Sequence, residues 1–173
     1  FHPASRVNAM LALAELDVGS NQPYPGCLDV LLASGKDANL PMHLRAIALL
    51  GLNRQVKWYS ANLSPAKKQE ISREMVAIAG SQPKTSLDAK THAWMVRRAY
   101  DVLTTMGAPG AVNPALARVV DDKELPSLRL ASVEYLTKID LTPLQEDKKV
   151  QYFLGVAQLL EQQLVRWYTN EDD

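Results

Sequence analysis

The chain has few of the residues on which protein chemistry usually turns. Among 173 residues there are one cysteine, three histidines and two phenylalanines, and neither sign of charge is in excess. Cys27, alone, can neither form an internal disulfide nor build a zinc site. Nineteen basic residues balance nineteen acidic ones. The positive surplus of a phosphate-binding protein is therefore missing, which disfavours nucleic acid and an anionic membrane surface as partners. No apolar run reaches the length of an uncharged membrane span, so membrane insertion is not expected. No basic-then-apolar signal opens the chain. Alternating strand-like runs are absent too, and a pair such as Val119-Val120 is too short to start one.

What remains is ordinary globular material. Hydrophobic residues make up 47% and charged residues 22%, enough for one domain with a sizeable core. That domain is expected over 1–169, followed by an acidic tail at 170–173. The first residue is Phe1, which suggests an excised domain or a processed product. The compartment stays open, with the cytoplasm the first expectation and an exported mature chain the alternative.

Ten prolines punctuate the chain, none inside an apolar-periodic run. Ser64-Pro65, Asn113-Pro114 and Thr142-Pro143 each place a capping side chain before a proline, which loses no hydrogen bond at a first helical position. Gln145 adds a capping box to Thr142. Pro3, Pro41 and Pro126 open helices in a similar way. The pattern predicts helices at 3–16, 25–34, 41–57, 65–79, 86–106, 113–122, 127–139 and 143–169, joined by short connections with Gly19, Gly35, Gly80, Gly107 and Gly110 near the breaks.

The most informative stretch is 41–58, because two others echo it. Arg6, Arg45 and Arg129 are each followed at +3 by a small residue (Ala9, Ala48, Ser132). At +4 stand Met10, Leu49 and Val133, and at +7 Leu13, Leu52 and Leu136. A degenerate copy in 86–106 has Val96 in the arginine column, then Ala99, Tyr100 and Leu103. The interval of about 40 residues suits a helical hairpin that buries its apolar face only by stacking on its neighbours.

The segments SRVNAMLAL, HLRAIALLGL and SLRLASVEYL resemble the second helices of HEAT-like, armadillo-type repeats, with their apolar-Arg pair followed by small and leucine positions. The resemblance implies an all-α, right-handed α-α superhelix (solenoid) of about four hairpins. Asp37 matches the aspartate that the family places at the turn between paired helices. Because 3–16 matches a second helix, upstream sequence is expected to have been removed. Val150, Phe153, Ala157, Leu160, Leu164 and Trp167 form an apolar seam on the last helix. That helix is expected to close the stack, with pairing to another protein as the alternative.

No catalytic constellation emerges. His2, His43 and His92 lie near the starts of successive second helices, but helices about 8–10 Å apart do not bring ligands onto one ion. Ser34-Gly35-Lys36-Asp37 lacks the remaining glycine and the hydroxyl of a phosphate loop. The carboxylate pairs Asp121-Asp122, Glu146-Asp147 and Asp172-Asp173 are sequence neighbours that diverge on a helix. Cys27 opens an apolar segment and reads as a small buried hydrophobe. Catalytic residues, cofactor and metal are each expected to be none.

The first expectation is a non-enzymatic protein–protein interaction or scaffold module, by analogy with what such architectures commonly do. Its candidate partner contacts are Trp58, Tyr59, Arg97, Arg98, Trp167 and Tyr168. One alternative is a nucleic-acid-binding HEAT-like domain of the alkylpurine DNA glycosylase kind. There the basic pairs Lys67-Lys68, Arg97-Arg98 and Lys148-Lys149, with Arg54 and Lys57, would meet aromatics such as Trp94 and Tyr100. The other is a purely structural domain of a larger protein. Partner identity and oligomeric state are not written in the sequence.

Overall fold

A computed structural model describes residues 2–16, 19, 24–83 and 89–169. Among them every regular element is helical and no strand occurs. The helices are α1 (Pro3–Glu15), α2 (Pro25–Lys36), α3 (Met42–Tyr59), α4 (Pro65–Ala79), α5 (Ala89–Met106), α6 (Val112–Val120), α7 (Pro126–Leu136) and α8 (Glu146–Thr169). Short 3-10 turns lie at Ser60–Asn62 and Pro109–Ala111. Residues 86–88 of the expected fifth helix, and the acidic tail at 170–173, lie outside the described residues.

Three proline starts differ from expectation, the least of them Pro41, which stands at the N-cap of α3 rather than at its first position. Asn113-Pro114 does not begin α6, which starts at Val112. Pro114 still falls within the first turn, where backbone N–H groups have no helical partner. Thr142-Pro143 does not begin α8 either, because Asp140 captures the Thr142 amide at 2.8 Å and folds the segment into a turn. The helix waits until Glu146. Ser64 does cap α4, accepting from the Lys67 amide at 3.2 Å.

The helices form two rows. One row is α1, α3, α5 and α7, each packed on the next. Opposite them, α2 lies against α3, α4 against α5 and α6 against α7, while α8 packs mainly on α6. Within a row the helices run parallel. Asn53 on α3 meets Thr105 on α5 near their C-terminal ends, and Lys36 meets Glu74 on α2 and α4. Between the rows lies one apolar core that includes Leu31, Leu49, Leu52, Ile71, Met75, Leu103 and Leu136, all fully buried.

The echoed columns explain the spacing. Arg45 donates from Nε to the Gly35 carbonyl at 3.1 Å, and Arg129 donates to the Val119 carbonyl at 3.1 and 2.9 Å. Each arginine thus reaches back ten residues to tie off the last turn of the helix before it. A glycine makes room beside each tie. A Cβ on Gly35 would stand 2.5 Å from Leu49 Cδ2, and one on Gly155 of α8 would stand 2.9 Å from the Val119 oxygen. The small column, Ala48, Ala99 and Ser132, is fully buried. In α1, by contrast, Arg6 and Ala9 are exposed.

The terminal helix departs from expectation most. Its inward stripe is Tyr152, Gly155, Val156 and Leu159. The seam Val150, Phe153, Ala157, Leu160, Leu164 and Trp167 is exposed along its whole length. The helix packs on α6 and α7 through the stripe that holds Gly155, roughly a third of a helical turn away from that seam.

Leu49 sits where α2 and α3 press together on Gly35. Leu49→Ala should cost about 2–5 kcal/mol in chemical denaturation, as removal of a packed leucine does.

Candidate partner-binding surface

The outward faces of α3, α5 and α7 carry a varied set of polar side chains. The helices lie side by side, and between their C-terminal halves opens a cleft of about 340 Å3. Its floor is aromatic. Tyr100 and Tyr135 stack with ring centroids 5.0 Å apart, and both are buried. The Tyr135 hydroxyl donates to the Ala108 carbonyl at 2.8 Å and accepts from the Ala111 amide at 3.3 Å. Burial pushes that phenol up to about 12, against the pull of the Ala111 N–H. Burial raises Tyr100 as well. Neither phenol is a proton source at neutral pH, and the floor is held in place by the burial of both rings and the two hydrogen bonds of the Tyr135 hydroxyl.

The walls are charged. Lys57 comes from α3, Arg97 and Asp101 from α5, Glu134 from α7 and Lys138 from the turn that follows it. Asp101 is held at 2.8 Å by Arg98, and burial lifts its carboxyl above the ordinary range despite the opposing pull of Arg98 and Arg97. Arg97 and Glu134 approach to 4.0 Å across α5 and α7, a loose pair that leaves the guanidinium available to a third group. The Thr105 hydroxyl lies 2.9 Å from the Asn53 side-chain oxygen and fixes that amide across α3 and α5.

The furrow between α3 and α5 continues toward their N-terminal ends. There it becomes apolar, a hollow of about 270 Å3 lined by His43, Ile47, Lys90 and Trp94. Trp94 is 62% exposed, with Arg98 set 5.8 Å from its ring centre. From Ile47 to Lys57 the helix rises roughly 15 Å. An apolar station and a charged one thus lie on a single line.

The six residues singled out from sequence fall in three places. Arg97 lines the cleft, and Arg98 backs it through Asp101. Trp58 is 47% exposed with Arg54 over its ring, whereas Tyr59 turns inward and is only 4% exposed. Trp167 and Tyr168 are 72% and 77% exposed near the end of α8, whose packing neighbours are α6 and α7. They do not join Arg97. Asn53, Glu134 and Lys138 also line the cleft, and Trp94, offered by the sequence only as an aromatic for nucleic acid, lines the apolar hollow. One signal was present: Asp101 and Glu134 both stand five residues after their column positions, Val96 and Arg129, and so share a face of the row.

The histidines occupy three unrelated sites. His2 caps α1, its Nδ1 accepting from the Ala4 amide at 3.2 Å, and His43 lines the apolar hollow. His92 is buried, with Nε2 2.9 Å from Ser81 Oγ. Ser81 gives its own proton to the Ile78 carbonyl at 2.7 Å, so His92 Nε2 must be the donor in that pair. Among the described residues no group of three or more His, Cys, Asp and Glu side chains is placed to hold a metal. Burial raises the Cys27 thiol above its usual range. Compared with protein-family models, curated proteins and solved structures, the chain matches none of them.

His92 carries a measurable consequence. Burial, and then the Arg118 charge, push its pKa below the usual 6.5, with Glu124 opposing. The unfolded chain therefore binds the proton more readily, and stability falls as pH drops from about 6.5 toward the lowered folded value. Denaturation midpoints compared at pH 7.5 and 5.5 should show a smaller decline in His92→Gln than in the parent. An equal decline would place the proton uptake elsewhere.

Proposed function

We propose that the chain is a non-enzymatic scaffold module whose α3–α5–α7 furrow receives an extended segment of a protein partner. The observation that carries this reading is the pairing, along one furrow, of an open apolar hollow at Trp94 with a charged cleft about 15 Å away. An extended peptide covers that span in about five residues. The segment that fits has an apolar anchor for the Trp94 hollow and acidic residues further along, facing Lys57, Arg97 and Lys138. A floor held in place favours such binding, because little side-chain freedom is lost on docking.

The same reading takes the two rows as a HEAT-like stack of hairpins wound into a right-handed superhelix. Its support is the recurrence of the arginine tie at Arg45 and Arg129 and of the buried small column beside it. A nucleic-acid role has the three cations in its favour, but with Asp101 and Glu134 among them the cleft lacks the run of positive charge that a continuous phosphate backbone needs, whereas one or two acidic side chains can each meet a single cation.

A display library of random peptides, panned on the protein, tests the proposal. Acidic-apolar sequences should be enriched, and their binding should weaken ~10-fold or more in the Arg97→Glu/Lys138→Glu variant. Enrichment indifferent to that variant would sink the furrow as the site. Retention of single-stranded DNA that falls steeply with salt would move the assignment to nucleic acid.

A further inference from the structure

The exposed face of α8 asks for a partner of its own, independent of the furrow. Phe153, Leu160 and Trp167 are 67%, 59% and 72% exposed, and Val150, Leu164 and Tyr168 also keep more than half their surface. With large side chains at on the order of 100–250 Å2 each, the face offers about 800 Å2 of largely apolar surface, more than a monomer usually leaves in one patch and the area each member of a standard dimer buries.

The spacing says what shape covers it. Val150, Ala157 and Leu164 recur every seven residues, as do Phe153, Leu160 and Trp167. Such an a/d stripe is narrow and takes one further helix lying nearly along it. It runs most of the length of a 24-residue helix, and the inward stripe of Tyr152, Gly155 and Leu159 is already used against α6.

We infer that the covering helix is α8 of a second copy, laid antiparallel. Turning one α8 end for end about the point between Gln158 and Leu159 sets Val150 against Trp167, Phe153 against Leu164 and Ala157 against Leu160. Each layer then joins a larger side chain to a smaller one, so no layer stacks two of the largest or two of the smallest residues. A parallel pair would set Trp167 on Trp167 and Ala157 on Ala157, a wedge rather than a seam. The contact is isologous and closes at two chains.

Sedimentation equilibrium at about 100 μM tests this. The expected mass is twice the 19.1 kDa of one chain. Leu160→Glu should weaken association ~100-fold while leaving the circular dichroism unchanged, because Leu160 points to solvent in the single chain. Orientation is read by mixing Val150→Cys and Trp167→Cys chains under mild oxidation. Cross-linking in the mixture but in neither variant alone is the result expected. A monomer at that concentration, a dimer indifferent to Leu160→Glu, or cross-linking of Val150→Cys with itself would each overturn the pairing. So would a monomer whose α8 face binds an added amphipathic helical peptide of unrelated sequence.

Discussion

Everything in this fold depends on what becomes of the carbonyl end of each helix. A helix leaves its last carbonyls without partners, and packing it into a stack hides those oxygens from water. Here a side chain from a neighbouring helix reaches across and donates to them. Arg45 of α3 ties α2, and Arg129 of α7 ties α6. Arg118 of α6 donates to Ala79 and Ser81 at the end of α4, at 3.2 and 2.6 Å. Gln55 of α3 gives its amide to the Ala14 and Leu16 carbonyls at the end of α1, at 2.8 and 3.0 Å. Four helix ends are closed by one device. The donor is a planar fork in each case, which suits a site with two or more oxygens to satisfy.

Arg129 carries the device furthest. It is fully buried, yet its hydrogen-bond acceptors in the structure are neutral: the Val119 and Gly155 carbonyls and the Gln162 side chain. The negative end of α6 stands in for a carboxylate. Because Gly155 and Gln162 belong to α8, the same guanidinium that closes α6 also holds the terminal helix to the stack. Arg118 solves its charge differently, by pairing with Glu124.

The sequence made the helices, their order and the column positions readable, because apolar spacing and proline caps are local signals. Arg45 and Arg129 stood out for the same reason. Arg118 and Gln55 did not, since nothing in their neighbours marks a residue that must satisfy carbonyls some forty positions earlier. The α8 seam shows the other limit. Periodicity reports that a face is apolar, not which of two stripes a single glycine lets dock. The candidate surface was legible in part, as Arg97 and Arg98 among the partner contacts and as Lys57, Trp94 and Tyr100 in the nucleic-acid alternative. The chemistry added by Asn53, Glu134 and Lys138 comes from laying three helices side by side, which no single stretch records.

The polar furrow and the apolar α8 face share this framework but use it differently. The first lies across α3, α5 and α7 over a stacked tyrosine floor. The second hangs on one helix held largely by Gly155, Leu159 and the Arg129 tie. If the ties position the helices, loosening one should loosen only its own end. Native-state hydrogen exchange on Arg129→Met tests this most directly. Amides of α8 and of the last turn of α6 should lose protection, while those of α2 to α5 exchange as in the parent chain. Exchange in α8 at the parent rate, or an equal rise along the whole chain, would contradict the account.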